Sequence, residues 1–393
     1  MSFTSNDTVK KLEEILPKSI NNHSVPKDIL VIIDEYIPKL NDKNIRQVLE
    51  DYLCEEEDKE IKVLQHNVKD LKQQVINNIH KTLEDYLSED KNVKQQIITN
   101  IHHVFENYLS KNKSRKQHVI DNYGTINNWD VSNVTNMKSL FKPDDEDNKD
   151  DYLNYFNENI SSWNVSSVTN MESMFYNATC FNQSLNNWNV SQVTTMGGMF
   201  DNAQRFNQPL NNWNVSSVIN MRYMFSRTKS FNQPLNNWNV SNVTNMNSMF
   251  GDAISFNQPL DNWNMSNVKD MKFMFCQAKS FNQPLNNWNV SSVTTMEGMF
   301  QWTNSFNQPL NNWNVSNVTT MRSMFYEAEI FNQQINNWNV SNVTNMEGMF
   351  QYTGIFNQPL NNWNVANVNL WKDMRRMFYK ARNFNLEMNA IWY

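Results

Sequence analysis

The chain has 393 residues, a formal net charge of −6, three cysteines and seven glycines. The acidic balance argues against a general attraction to nucleic acid or anionic lipid. Three scattered cysteines (Cys54, Cys180, Cys276) are too few for a disulfide framework.

Residues 1–120 are rich in Lys, Glu and Asp, with apolar residues at helical spacing. Ile61, Leu64, Val68, Leu71, Val75, Ile79 and Leu83 step by three or four and predict one long amphipathic helix. Stretches 45–53, 79–87 and 101–109 share an Ile…Tyr-Leu pattern, so an all-α domain is expected, a helical bundle or set of hairpins that caps the remainder of the chain. Segment 25–38 resembles the opening of an F-box, the substrate-adaptor module of ubiquitin ligases. Its Ile29, Leu30, Ile33, Tyr36 and Ile37 also make the stripe of an ordinary helix. The six histidines lie in this region, none at a ligand spacing with Cys, Asp or Glu, so no metal site is expected. No basic start leads into an apolar run and no window approaches ~20 apolar residues, so neither a signal peptide nor a membrane span is predicted. A cytoplasmic or virion-associated location is the expectation.

Residues 121–393 are organised by a period of 25. Trp163, Trp188, Trp213, Trp238, Trp263, Trp288, Trp313, Trp338 and Trp363 mark it, and Trp129 precedes them after an acidic insertion within 142–155. Such a period predicts a solenoid of about ten coils, each burying its apolar face on its neighbours, with a degraded half coil at 384–392. Leu210-x-x-Trp213-x-Val215 predicts a short strand, stacked into a parallel sheet. Met221-x-x-Met224-Phe225, after Asn220, predicts one N-capped helical turn. The tryptophan, methionine and phenylalanine columns are read as core. Asn212, Asn214, Asn237 and Asn239 flank the tryptophans, and are expected to hydrogen-bond from coil to coil or to offer a flat polar surface to a glycan.

The columns around the predicted helical turn vary between coils. Nine after the tryptophan, Lys272, Glu297, Arg322 and Glu347 alternate in sign, which predicts pairing between coils. Arg222, Tyr223, Arg227, Phe273, Trp302 and Tyr352 make a candidate partner-binding ridge, since aromatic and Arg residues are enriched at binding hot spots. Nothing in the sequence forms a catalytic set, a phosphate-binding loop or a cofactor site, so a non-enzymatic binding protein is expected.

Leu-x-x-Trp-x-Val-Ser-x-Val-Thr-x-Met-x-x-Met-Phe-x-x-Ala-x-x-Phe-Asn-Gln resembles the repeat of the BspA-like leucine-rich-repeat family. The resemblance implies an α/β leucine-rich-repeat solenoid of parallel short strands and helical turns, and a protein-binding scaffold. It leaves open a ubiquitin-ligase adaptor and a surface or virion attachment protein.

Overall fold

The computed structural model describes residues 115–143 and 152–392. The F-box-like segment, the long helical stripe and residues 144–151 of the acidic insertion lie outside the described residues.

The described chain opens with helix α1, Arg115–Tyr123. Val119 of α1 is buried in the core, and the Tyr123 ring lies 6.4 Å from that of Trp129. From there the 25-residue units lie one upon the next. The tryptophans stack from coil to coil, with Trp213 and Trp238 at 6.3 Å and 4° and an unbroken run of rings from Trp263 to Trp392. Two phenylalanine columns run beside it, with Phe200–Phe225 at 5.7 Å and Phe206–Phe231 at 6.0 Å. The indole also carries a polar link, because Trp213 Nε1 donates to the Leu185 carbonyl of the preceding coil at 2.9 Å. The same bond recurs up to Trp363 with Ile335 and Trp392 with Leu360. The buried ring therefore leaves no unsatisfied N–H.

The expected fold class does not hold. Among the described residues there is no sheet: successive coils meet at single-residue parallel bridges, Asn170↔Thr195 through Thr320↔Asn345. The stretch read as a strand is closed by turns. Trp213 N–H donates to the Leu210 carbonyl at 3.1 Å and Val218 N–H to that of Val215 at 3.0 Å. Between them Asn214 Oδ1 accepts the Ser216 N–H, an Asx turn. A spacing of two between Trp213 and Val215 suits this geometry as well as it suits a strand. The predicted helical turn is also absent, because the residues ten and fourteen after the tryptophan have φ near +50° to +60°, outside the right-handed helical region. Nor is an all-α domain seen among the described residues, whose α-helices are α1 and the short α2, Leu386–Asn389.

What joins the coils is a set of aligned peptide groups. In the Trp213 coil the N–H groups of Met221, Tyr223, Phe225 and Arg227 donate to the carbonyls of Asn245, Asn247, Met249 and Gly251 in the next coil, at 2.7 to 3.0 Å. Alternate residues instead bond locally, Met224 N–H to Met221 O and Ser226 N–H to Tyr223 O. Asn220 bridges to the neighbouring coils and its Oδ1 accepts the Arg222 N–H; it caps no helix.

The asparagines that flank the tryptophans divide: before the tryptophan, Asn212 N–H donates to Asn186 Oδ1 of the preceding coil at 3.1 Å. Asn214 and Asn239 bond within their own coils. The continuous ladder belongs to the Phe-Asn-Gln motif, where Asn232 Oδ1 accepts the Asn257 N–H and the Gln258 side-chain amide. Buried Thr228, Thr303 and Thr353 replace Ala in the small-residue column, and their hydroxyls donate to carbonyls of Phe225, Phe275 and Phe350.

Candidate interaction ridge

The nine repeat tryptophans lie in the core, 2–4 % exposed, with the methionine and phenylalanine columns beside them. The variable positions follow one another up the outside of the coils. Tyr223, Phe273, Arg227, Trp302 and Tyr352 all occupy the two left-handed columns, with φ of +53° to +62°. Bulky residues avoid that region, and the four inter-coil bonds on either side hold them there. A sequence signal for it existed: Gly198, Gly298 and Gly348 share the Tyr223 column, and Asn177 and Asn202 share the Arg227 column. Gly and Asn are the residues that adopt positive φ most readily.

The ridge sorts into three parts. At its start, Arg227 Nε and Nη2 reach the two carboxylate oxygens of Asp201, each at 2.9 Å. Arg227 also lies over the Tyr176 ring, as does Lys142 at 4.8 Å. The carboxylate bond raises the Arg227 pKa above its ordinary value. Arg227 is thus held by the coil before it rather than projecting into solvent.

Along the ridge runs the charged column. Lys272–Glu297, Glu297–Arg322, Arg322–Glu347 and Glu347–Arg375 pair at 3.6, 3.6, 3.3 and 2.6 Å. Earlier in the chain Glu172 pairs with Lys138 and with Arg222, two coils away. The intervening coil carries Gly197 in this column, and the Arg222 stem crosses above it. A hydrogen bond from Lys138 holds the Glu172 carboxyl below the usual glutamate range, and one from Arg375 does the same for Glu347.

The far end is aromatic. Trp302, Tyr326, Tyr352 and Tyr379 meet edge to face at 5.5 to 5.8 Å over four coils, and Lys380 lies 5.1 Å from the Tyr352 ring centre. Burial raises the Tyr326 pKa. Phe273 is half-buried over Gly298 of the next coil. Tyr223 is the most open of the six candidates apart from neighbouring Arg222, at 40 % exposed.

Away from the ridge, a shallow hollow of ≈ 340 Å³ lies over the tryptophan side of two coils, lined by Asn186, Asn187, Trp188, Asn189, Val190, Asn212 and Asn214. Cys276, on the ridge side, is largely buried, which pushes its thiol pKa up to about 12 and keeps it protonated. Among the described residues no group of three His, Cys, Asp or Glu is placed to hold a metal ion, and no helix is long and apolar enough to cross a membrane.

These coils define a tandem-repeat protein whose contacts run mainly from each unit to the next. The family described as "Mycoplasma protein of unknown function, DUF285" matches residues 70–213, 208–313 and 302–392, and the chain belongs to it. The BspA-like repeat read from the sequence is consistent with that family. No match was found among curated proteins or among solved structures.

Proposed function

We propose that this chain is a non-enzymatic scaffold that binds a protein partner along the ridge. The observation that carries the reading is the contrast between columns. Core and ladder positions repeat from coil to coil, whereas the residues nine, ten, thirteen and fourteen after each tryptophan differ on a backbone held by four bonds on each side; Arg222, Tyr223 and Arg322 among them are exposed, while Asp201, Ser226 and Gln351 are buried. A rigid frame lowers the ordering cost of binding, and Tyr223 beside Arg222 offers the aromatic and guanidinium pair common at hot spots. A photo-crosslinking residue at position 223 or 352 is expected to capture one protein species, with position 187 on the opposite side capturing little. Equal capture at all three positions would sink the ridge reading.

Family membership favours a second reading, in which the same repeat surface is displayed on a cell or particle as an attachment or structural protein. Protease shaving of intact cells or particles separates the two, because only a displayed chain is cleaved.

A further inference from the structure

The charged column changes character along the stack. In the coils of Trp263, Trp288, Trp313 and Trp338 it reads Lys272, Glu297, Arg322 and Glu347, one sign after the other. In the four coils before them it reads Glu172, Gly197, Arg222 and Asn247, without that alternation. Bonds between neighbouring backbones hold the four charges on a fixed pitch of ~4.8 Å per coil. Their pairs along the column, at 3.6, 3.6 and 3.3 Å, are longer than a charge-assisted hydrogen bond of about 2.7–2.9 Å. Between 21 and 50 % of each of these side chains is exposed, so each keeps room for a second partner.

An alternating row turned end for end is its own complement. A two-fold axis lying across the stack, between the coils of Trp288 and Trp313, reverses coil order and sets every column against itself. Lys272 then meets Glu347 of a second copy, and Glu297 meets Arg322 of the second copy. The column ten after the tryptophan matches in size under the same operation: Phe273 meets Gly348, and Gly298 meets Ser323. Other arrangements fail on charge. An axis along the stack sets each coil against its equal and brings like charges together. An end-for-end axis passing through the Trp288 coil does the same, with Glu297 on Glu297 and Lys272 on Arg322. In the four earlier coils the corresponding axis sets Gly197 against Arg222 and Glu172 against Asn247, and no opposite charges meet.

We infer that the face carried by these four coils joins two copies of the chain, packed antiparallel. A partner on this row must present charges of alternating sign at the coil pitch, and a second stack of the same coils does so on an equally rigid frame. Opposite potentials across the axis set register and direction. The inference shares with the ridge reading only the variable face. Tyr223 lies outside the four coils, so the contact read there and this one can fail separately.

Sedimentation velocity of the full chain is expected to show a dimer that dissociates as salt rises. Glu297→Arg and Arg322→Glu each bring like charges together across the axis, and each is expected to weaken the dimer about tenfold or more. An equal mixture of the two variants is expected to restore it, because each then faces the opposite sign on the other. A variant that had merely lost its fold gains nothing from mixing, and circular dichroism at the wild-type value confirms that both are folded. A photo-crosslinking residue at position 273 is expected to join the coil of Gly348 in the second copy, and Tyr223→Ala to leave the dimer unchanged. The inference is overturned by a chain that stays monomeric at every concentration and salt, by single variants that dimerise like the wild type, by a mixture as weak as its components, or by a crosslink from position 273 to the coil of Phe273 in the second copy.

Discussion

The middle and the last coil of the stack are built from the same letters and differ in what they leave open. The coil of Trp213 receives bonds from Met196, Gly198, Phe200 and Asn202 and gives four more to the coil beyond. Its Phe225 and Phe231 have no exposed surface. The coil of Trp363 receives the matching bonds from Met346, Gly348, Phe350 and Tyr352, yet its own Phe378 and Phe384 are only partly buried. A repeat of this kind is complete only between two others. That is the nearest-neighbour logic of repeat arrays, where stability resides in interfaces as much as in units.

The largest test of the comparison removes a ring from the middle. Trp238→Ala deletes the stack on Trp213, the tilted contact with Phe225 and the bond to the Leu210 carbonyl, and is expected to cost ~3–5 kcal/mol by chemical denaturation. A cost below about 1 kcal/mol would mean that the coils do not depend on the ladder. Next comes Gly298→Ala. The residue has φ +58°, and a Cβ there overlaps the Phe273 ring, so a loss of about 2–3 kcal/mol is expected. Adding Phe273→Ser, which clears the ring and puts there the residue that Ser173 supplies in an earlier coil, should recover part of it. No recovery would show that backbone strain alone sets the cost.

A smaller effect is expected at the Phe-Asn-Gln ladder. Asn257 Oδ1 accepts from Asn282 N–H and Gln283 Nε2, each at 3.0 Å. Asn257→Ala leaves both donors without that acceptor, for about 1–2 kcal/mol, whereas Asn239→Ala, with its bond inside one coil, should cost less. The smallest effect is on the ridge. Glu172 and Glu347 have pKa values below the ordinary 4.5. Their pairs therefore stabilise the fold fully above that value, and the contribution is lost as pH falls through the lower folded values. Urea midpoints measured from neutral to acid pH should decline there, and Arg375→Gln should flatten part of the decline.

How far the sequence reveals this structure depends on which property each residue reports. The period of 25 is legible because every coil reuses one set of contacts, so Trp213 and Trp238 must be the same residue. The path of the backbone is not. Apolar residues two apart at Trp213 and Val215 are satisfied by two linked turns, and Met221, Met224 and Phe225 meet the spacing of a helix without forming one. Spacing reports which side chains go inward, and several backbones deliver the same pattern. The Gly and Asn residues sharing columns with Tyr223 and Arg227 held the missing information, but those columns read more readily as solvent-facing variation. The ridge was legible as a place of variation. Its internal partners were less so: Arg227 on Asp201 and Phe273 over Gly298 join residues of adjacent coils, and only the stacking register sets their distance.

The bridging of Glu172 and Arg222 across Gly197 has a further consequence. A whole unit can be skipped by one long side chain when the unit between carries no side chain in that column. Gain or loss of a complete coil by recombination within the gene would leave the frame's contacts intact, since each new neighbour matches the old one. What would change is the distance between the Arg227 cluster and the aromatic strip at Trp302. Copy number then acts as a ruler that sets the spacing of two surface features without altering either.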